Sequence, residues 1–222
     1  MSNRNKTEEI SKIDLYTFIH KAQRVHLFEL SARIGRTDFS NEGEVKSIEQ
    51  DLKRMISHLK KHSVSEATFI HPLFHELGNQ ISLIDDEHDD LEKKLDTLES
   101  ILNEKQWGKL YPELNLFIAS YLLHQDEEEK MQSDILWKHF DNERLAAVMA
   151  AYKKSLSPAQ ELENLKFIIP CLSIPELTKM FGNIKASALT EVFQASCQIA
   201  ENHLAPDDWK KLSKALPLPH LL

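Results

Sequence analysis

Glycine is scarce in this chain, with five in 222 residues. Few positions are therefore free to take the positive φ that tight turns require. Leu, Glu, Lys, Ala and Ile dominate instead, which favours helix and predicts a nearly all-α protein. Cysteine is scarcer still. Cys171 and Cys197 are the only two, and neither lies in a CxxC or other thiol-metal spacing, so both read as buried free thiols. Long apolar runs are missing too. No stretch approaches the ~18–20 residues of a membrane span, and the polar opening MSNRNKTEEISK lacks the apolar centre of a secretory signal, so a cytoplasmic protein with no membrane partner is expected. A basic surplus is also absent. Lys and Arg total 27 against 35 Asp and Glu, for a net charge of −8, which excludes general nucleic-acid binding because phosphate must be met by a basic surface. No nucleophile triad, phosphate loop or nucleotide fingerprint is present.

What the chain has in excess is histidine: eleven copies, of which nine precede residue 140. The same region reads as four long helices. Ile13, Tyr16, Ile19, Ala22, Val25, Phe28 and Ala32 recur at helical spacing up to Gly35, a candidate C-cap. Ser47 and Gln50 have capping-box spacing at the start of a second helix that runs to about Leu77, with a bend expected at Pro72. Gly78-Asn79 reads as a stop and a start for a third helix ending near Glu104. Pro112 suits the first turn of a fourth, which extends to about Phe140. Four such helices with short links predict an up-down-up-down four-helix bundle over 12–140. Residues 141–222 read as a C-terminal extension of shorter helices packed on or beside it. Asp141, Ser157, Ser173 and Asp207 are its candidate N-caps, and Ser173 with Glu176 forms a second capping box.

Residues four apart share a helix face, so His-x-x-x-Glu offers an imidazole and a carboxylate side by side. His62/Glu66, His88/Glu92 and His124/Glu128 all have this spacing, and the first helix adds His20. His139/Glu143 also has it, but across a helix break. Position is more selective than spacing. At about 1.5 Å per residue, antiparallel neighbours would hold His20 level with His62, and His88 level with His124 to within about one turn. Four helices thus bring a histidine towards one level of a bundle, the arrangement from which carboxylate-bridged di-iron or di-manganese centres are assembled. Imidazole with carboxylate suits iron, manganese or zinc. His26 is a rival to His20 but sits nearly two turns off that level. His58 reads as core or outer shell. His71 lies about 180° round the helix from His62, so it and His75 read as structural or partner-facing, while His203 and His220 read as solvent-facing. Tyr16 and Tyr121 read as aromatic core within reach of hydrogen bonds to the site.

The stretches YTFIHKAQR (16–24), HSVSEATFIHPLF (62–74), DEHDDLE (86–92) and LFIASYLLHQDEEE (116–129) resemble the hemerythrin-like, or HHE cation-binding, family over roughly residues 12–140. The resemblance implies a four-helix bundle enclosing two iron ions with a bridging oxygen. It implies His20, His62, Glu66, His88, His124 and Glu128 as ligands, with Glu66 and Glu128 bridging the metals. Oxygen carriers of the family usually have a second histidine where this chain has Glu92, and a carboxylate where it has Glu129. These departures keep Glu92 and Glu129 as candidate ligands and point away from oxygen carriage, towards members associated with iron sensing or with nitrosative and oxidative stress. The expected function is binding or sensing of oxygen, nitric oxide, peroxide or iron. A redox enzyme of stress defence or iron-centre repair, and a helical interaction module with an incidental or zinc-filled His cluster, are the alternatives.

Overall fold

The computed structural model describes residues 12–78, 82–187 and 190–216, with the backbone alone for Ser82, Leu83, Asp85 and Ser187; the polar opening, the Asn79 start signal and His220 lie outside them. The described residues are all-helical, with no strand among them. Five helices, α1 (Thr17–Ile34), α2 (Glu42–Phe69), α3 (His71–Glu76), α4 (Ser82–Asn103) and α5 (Trp107–Met131), come first. A π-helical turn (Gln132–Leu136) leads into α6 (Trp137–His139), followed by α7 (Asn142–Ser155) and α8 (Pro158–Ile168). A 3₁₀ turn (Ile169–Cys171) then precedes α9 (Ile174–Ser187), α10 (Thr190–His203) and α11 (Pro206–Ala215). No helix among the described residues is long and apolar enough to cross a membrane.

Several helix ends differ from their sequence reading. α2 begins five residues before Ser47, because the Asn41 side chain accepts the N–H groups of Gly43 and Glu44 and so satisfies the first orphan donors. α5 begins at Trp107, which leaves Pro112 inside the helix. The cost is small there, since Pro112 and Gly108, whose carbonyl loses its i+4 donor, both face solvent. The expected bend at Pro72 is instead a break at Ile70. Pro72 sits in the first turn of α3, and a proline disfavours continued helix just before itself. Gly78 then takes φ +71, the left-handed conformation that ends α3. Asp141 and Ser157 cap α7 and α8, and Ser173 with Glu176 pairs at the start of α9. At α11 the cap position is Ala205, with Asp207 in the first turn.

The long helices pair through polar contacts that fix their relative direction. Ser31 donates to Asn115 and Gln125 donates to Gln23, so α1 and α5 are antiparallel. Arg33 reaches Asp51 while His20 lies against Glu66, so α1 and α2 are as well. Apolar side chains then fall into layers along these helices. Leu27, Leu30 and Ile34, Ile48 to Leu59, Leu91 to Leu102 and Leu110 to Tyr121 form one buried cluster. A second holds Leu15, Tyr16, Ile70, Leu73, Phe74, Ile84 and Leu136, joined by Leu145 and Val148 of α7. Between the two, on every long helix, lies a polar layer: His20, His62 and Glu66, His88, then His124 and Glu128. The histidines are therefore roofed and floored by apolar side chains, nearer one end of the long helices than their middle.

The π-helical turn secures the end of that second cluster. Gln132 is fully buried, accepts the Leu15 N–H at 2.6 Å and donates to Asp14 at 3.1 Å, tying residues 14–15 to the end of α5. A third cluster, from Ile169 to Leu216, is built by α9 to α11 and receives Phe18 of α1. Its join to the long helices is specific. Lys21 bonds Glu176 at 2.6 Å, and the Phe167 ring lies 4.2 Å from the His26 ring of α1 and 3.8 Å from the His58 ring of α2.

Candidate metal centre

Glu66 and Glu128 are each 2% exposed, and they face each other across the polar layer. Each carboxylate divides its two oxygens between two groups of imidazoles. Oε1 of Glu66 lies 2.9 Å from His62 Nε2 and 3.5 Å from His20 Nε2, while its Oε2 lies 3.8 Å from His88 Nε2. Glu128 repeats the pattern. Its Oε2 is 3.3 Å from His20 Nε2, and its Oε1 is 3.4 Å from His88 Nε2 and 3.3 Å from His124 Nε2. All four imidazoles thus aim the same nitrogen, Nε2, at the two carboxylates.

Three of the four opposite nitrogens are held from outside. His20 Nδ1 meets Glu129 at 3.0 Å, and Glu129 is in turn held by Arg24 at 2.8 Å. His124 Nδ1 meets Glu87 at 2.9 Å, and His88 Nδ1 meets the Ser63 hydroxyl at 3.1 Å. An outer carboxylate or hydroxyl on Nδ1 selects the tautomer that leaves Nε2 with a lone pair facing inward. Glu129, a sequence candidate for ligation, is thereby an orienting group for His20. Glu92, the other, is exposed.

Nε2 of His20 and of His62, Oε1 of Glu66 and Oε2 of Glu128 are buried and face only one another, at 2.9–3.5 Å, without a well-aligned hydrogen bond. Such orphans are costly unless something satisfies them, and a cation among them would do so. Two groups of ligand atoms, each within 4.8 Å of one another, are compact enough for a metal: His20, His62 and Glu66, and His71, His88 and Glu128. The donor set, nitrogen and carboxylate oxygen without thiolate, fits iron, manganese or zinc.

Charges in the metal-free layer follow from this packing. Burial would drive the His20 pKa down, but Glu129, Glu66 and Glu128 raise it to about 9. Burial acts likewise on His124, where Glu128 and Glu87 reverse it and raise the pKa. Burial raises the Glu128 carboxyl while His124, His88 and His20 pull it well below the usual range. For Glu66, burial and the facing Glu128 are outweighed by His62 and His20, so it too falls. The protonated forms of His20 and His124 are thus favoured beside the two carboxylates, and a cation bound here would displace those protons.

His26 Nε2 lies 2.9 Å from the Phe167 carbonyl, and His58 stacks on the Phe167 ring, both outside the layer. Cys171 and Cys197 are buried free thiols, each pushed up to about 11 by burial. The Tyr121 hydroxyl donates to Gln23. Tyr16 packs with its ring 5.1 Å from that of His20, and burial and then the Glu128 and Glu66 charges push its phenol upward. His75, His139 and His203 are exposed. His71 reads from the sequence as structural or partner-facing, half a turn from His62. It is 4% exposed, with its ring 5.2 Å from that of His88, because the break at Ile70 resets the helical phase that would have turned it outward. The His71-Pro72 pair was the available signal. No family model matches this chain, and no curated protein or solved structure matches it significantly.

Proposed function

We propose that this protein is a hemerythrin-like four-helix bundle with a C-terminal helical extension, and that it holds a non-haem dinuclear iron centre. One observation carries the proposal. Two buried carboxylates each turn one oxygen to either side, towards imidazoles that all present Nε2. In this reading Glu66 and Glu128 would be shared between the two metals. His20 and His62 hold one, and His88 and His124 hold the other. Iron bound here would supply reversible binding of a diatomic ligand or peroxide, or one-electron chemistry.

The residues around the layer have their own parts. Glu129, Glu87 and Ser63 hold the imidazoles in register, and Arg24 holds Glu129. The apolar clusters above and below exclude water, so the layer binds charge in a low-dielectric setting. Tyr16, His71, Phe74, Ile84 and Met131 pack closely around the Glu128 side of the layer. We assign the protein to binding or sensing oxygen, nitric oxide, peroxide or iron. The deciding experiment is anaerobic loading of the purified chain with ferrous iron, followed by metal analysis and optical spectra on separate exposure to oxygen and nitric oxide. About two irons per chain with ligand-dependent bands are expected. Protein that takes up no iron, or takes it up equally after joint substitution of Glu66 and Glu128, would sink the proposal.

A further inference from the structure

His71 is not on any of the four long helices. It opens the six-residue α3, which exists because the chain breaks at Ile70. On an uninterrupted α2, nine residues beyond His62 is about 900° at 100° per residue, half a turn away from the layer. The break undoes that phase. Leu73 and Phe74 are anchored in the second apolar cluster at 1% and 2% exposure, and they hold the short helix against the layer. His71 then lies with its ligand atom in one compact group with those of His88 and Glu128, and His88 in turn is 4.6 Å, ring to ring, from His124. The exposed Pro72 and His75 occupy the outer side of the same helix.

We propose that His71 is a metal ligand and joins His88 and Glu128 on one ion of the pair. This rests on the dinuclear reading above and makes the centre asymmetric. The ion beside His71 would be held partly by a segment outside the long helices. Rearrangement of α3 would therefore change the ligand count of one metal only.

The test is anaerobic titration of metal-free protein with ferrous iron and, separately, with cobalt(II) as a spectroscopic probe. Wild type, His71→Ala, His71→Gln and His75→Ala are compared, with circular dichroism and thermal melting of each metal-free form. Wild type and His75→Ala should bind two metals per chain. His71→Ala and His71→Gln should bind one as tightly as wild type. The second should weaken by at least about tenfold, the smallest cost usual even for an outer partner of a metal site. Added imidazole should restore the second cobalt band in His71→Ala, which a merely structural role would not produce. If both His71 variants bind two metals with wild-type affinity and spectrum, His71 is not a ligand and the dinuclear reading stands without it. If wild type binds none, the dinuclear reading itself has failed. Should His71→Ala not fold, His71→Gln, which keeps bulk and hydrogen-bonding capacity, decides alone.

Discussion

Replacing Glu128 by glutamine should abolish most of the stabilisation that metal bound in the proposed centre would give. Binding to the folded state alone stabilises it by RT ln(1 + [L]/Kd), about 2.7 kcal/mol when free metal is 100 times Kd at one site. For chains of this size each kcal/mol moves the melting temperature by ~2–4 °C, so one filled site should raise it by ~5–11 °C and two by more. Glu128 presents Oε2 towards His20 and Oε1 towards His88 and His124, so the amide removes an anionic oxygen from both groups at once. Both sites should weaken together. The metal-free protein will also feel the change. Breaking a buried ion pair costs ~3–5 kcal/mol when the surviving charge stays buried. Here His20 and His124 can shed their protons instead, which keeps the cost below that range. The assay is thermal denaturation by circular dichroism, with and without ferrous iron under anaerobic conditions, using the exposed neighbour Glu127→Gln as control. A Glu128→Gln shift equal to that of wild type, with wild type shifting normally, would refute the bridging geometry.

Other expectations follow from the outer partners and the C-terminal contacts. Glu129→Gln removes the charged hold on His20 Nδ1 and should lower iron affinity about 10–100-fold without loss of helix; an unchanged titration curve would show that Glu129 does not orient His20. Arg24→Met should have a smaller effect in the same direction, because it acts through Glu129. Phe167→Ala removes a ring packed against His26 and His58 and should cost somewhat less than the ~3–5 kcal/mol of a fully buried phenylalanine, read by urea denaturation, while metal stoichiometry stays the same. Burial, and then the neighbouring charges of His62, His26 and Lys61, hold the His58 pKa down from 6.5 to about 3. The folded state therefore favours the neutral ring. Its contribution is complete above pH 6.5 and is lost as pH falls towards 3, since the unfolded chain takes up the proton first, with a slope approaching ~1.4 kcal/mol per pH unit. His58→Phe should flatten the urea midpoint against pH over that window, and parallel curves for the two proteins would refute the assignment.

The sequence by itself determined the helical class and most of the polar layer. Scarce glycine and dominant helix formers left little room for other secondary structure, and i, i+4 spacing alone sets His62 over Glu66 and His124 over Glu128. Local cap chemistry was legible where one side chain decided it, as at Asp141 and Ser157. It failed at Ser47, where Asn41 offered an earlier cap that no periodic pattern marks. What the sequence could not decide was phase across a break. A continued α2 turns His71 to solvent, whereas the interrupted chain turns it inward, and the two differ by the placement of one helix axis. The tertiary structure also decided the work of Glu129 and Glu87, since their partners, His20 and His124, lie on other helices. It decided the height of the layer as well, near one end of the long helices, because the second apolar cluster draws on Leu15, Phe74, Leu136 and Leu145, residues remote in sequence that only packing brings together.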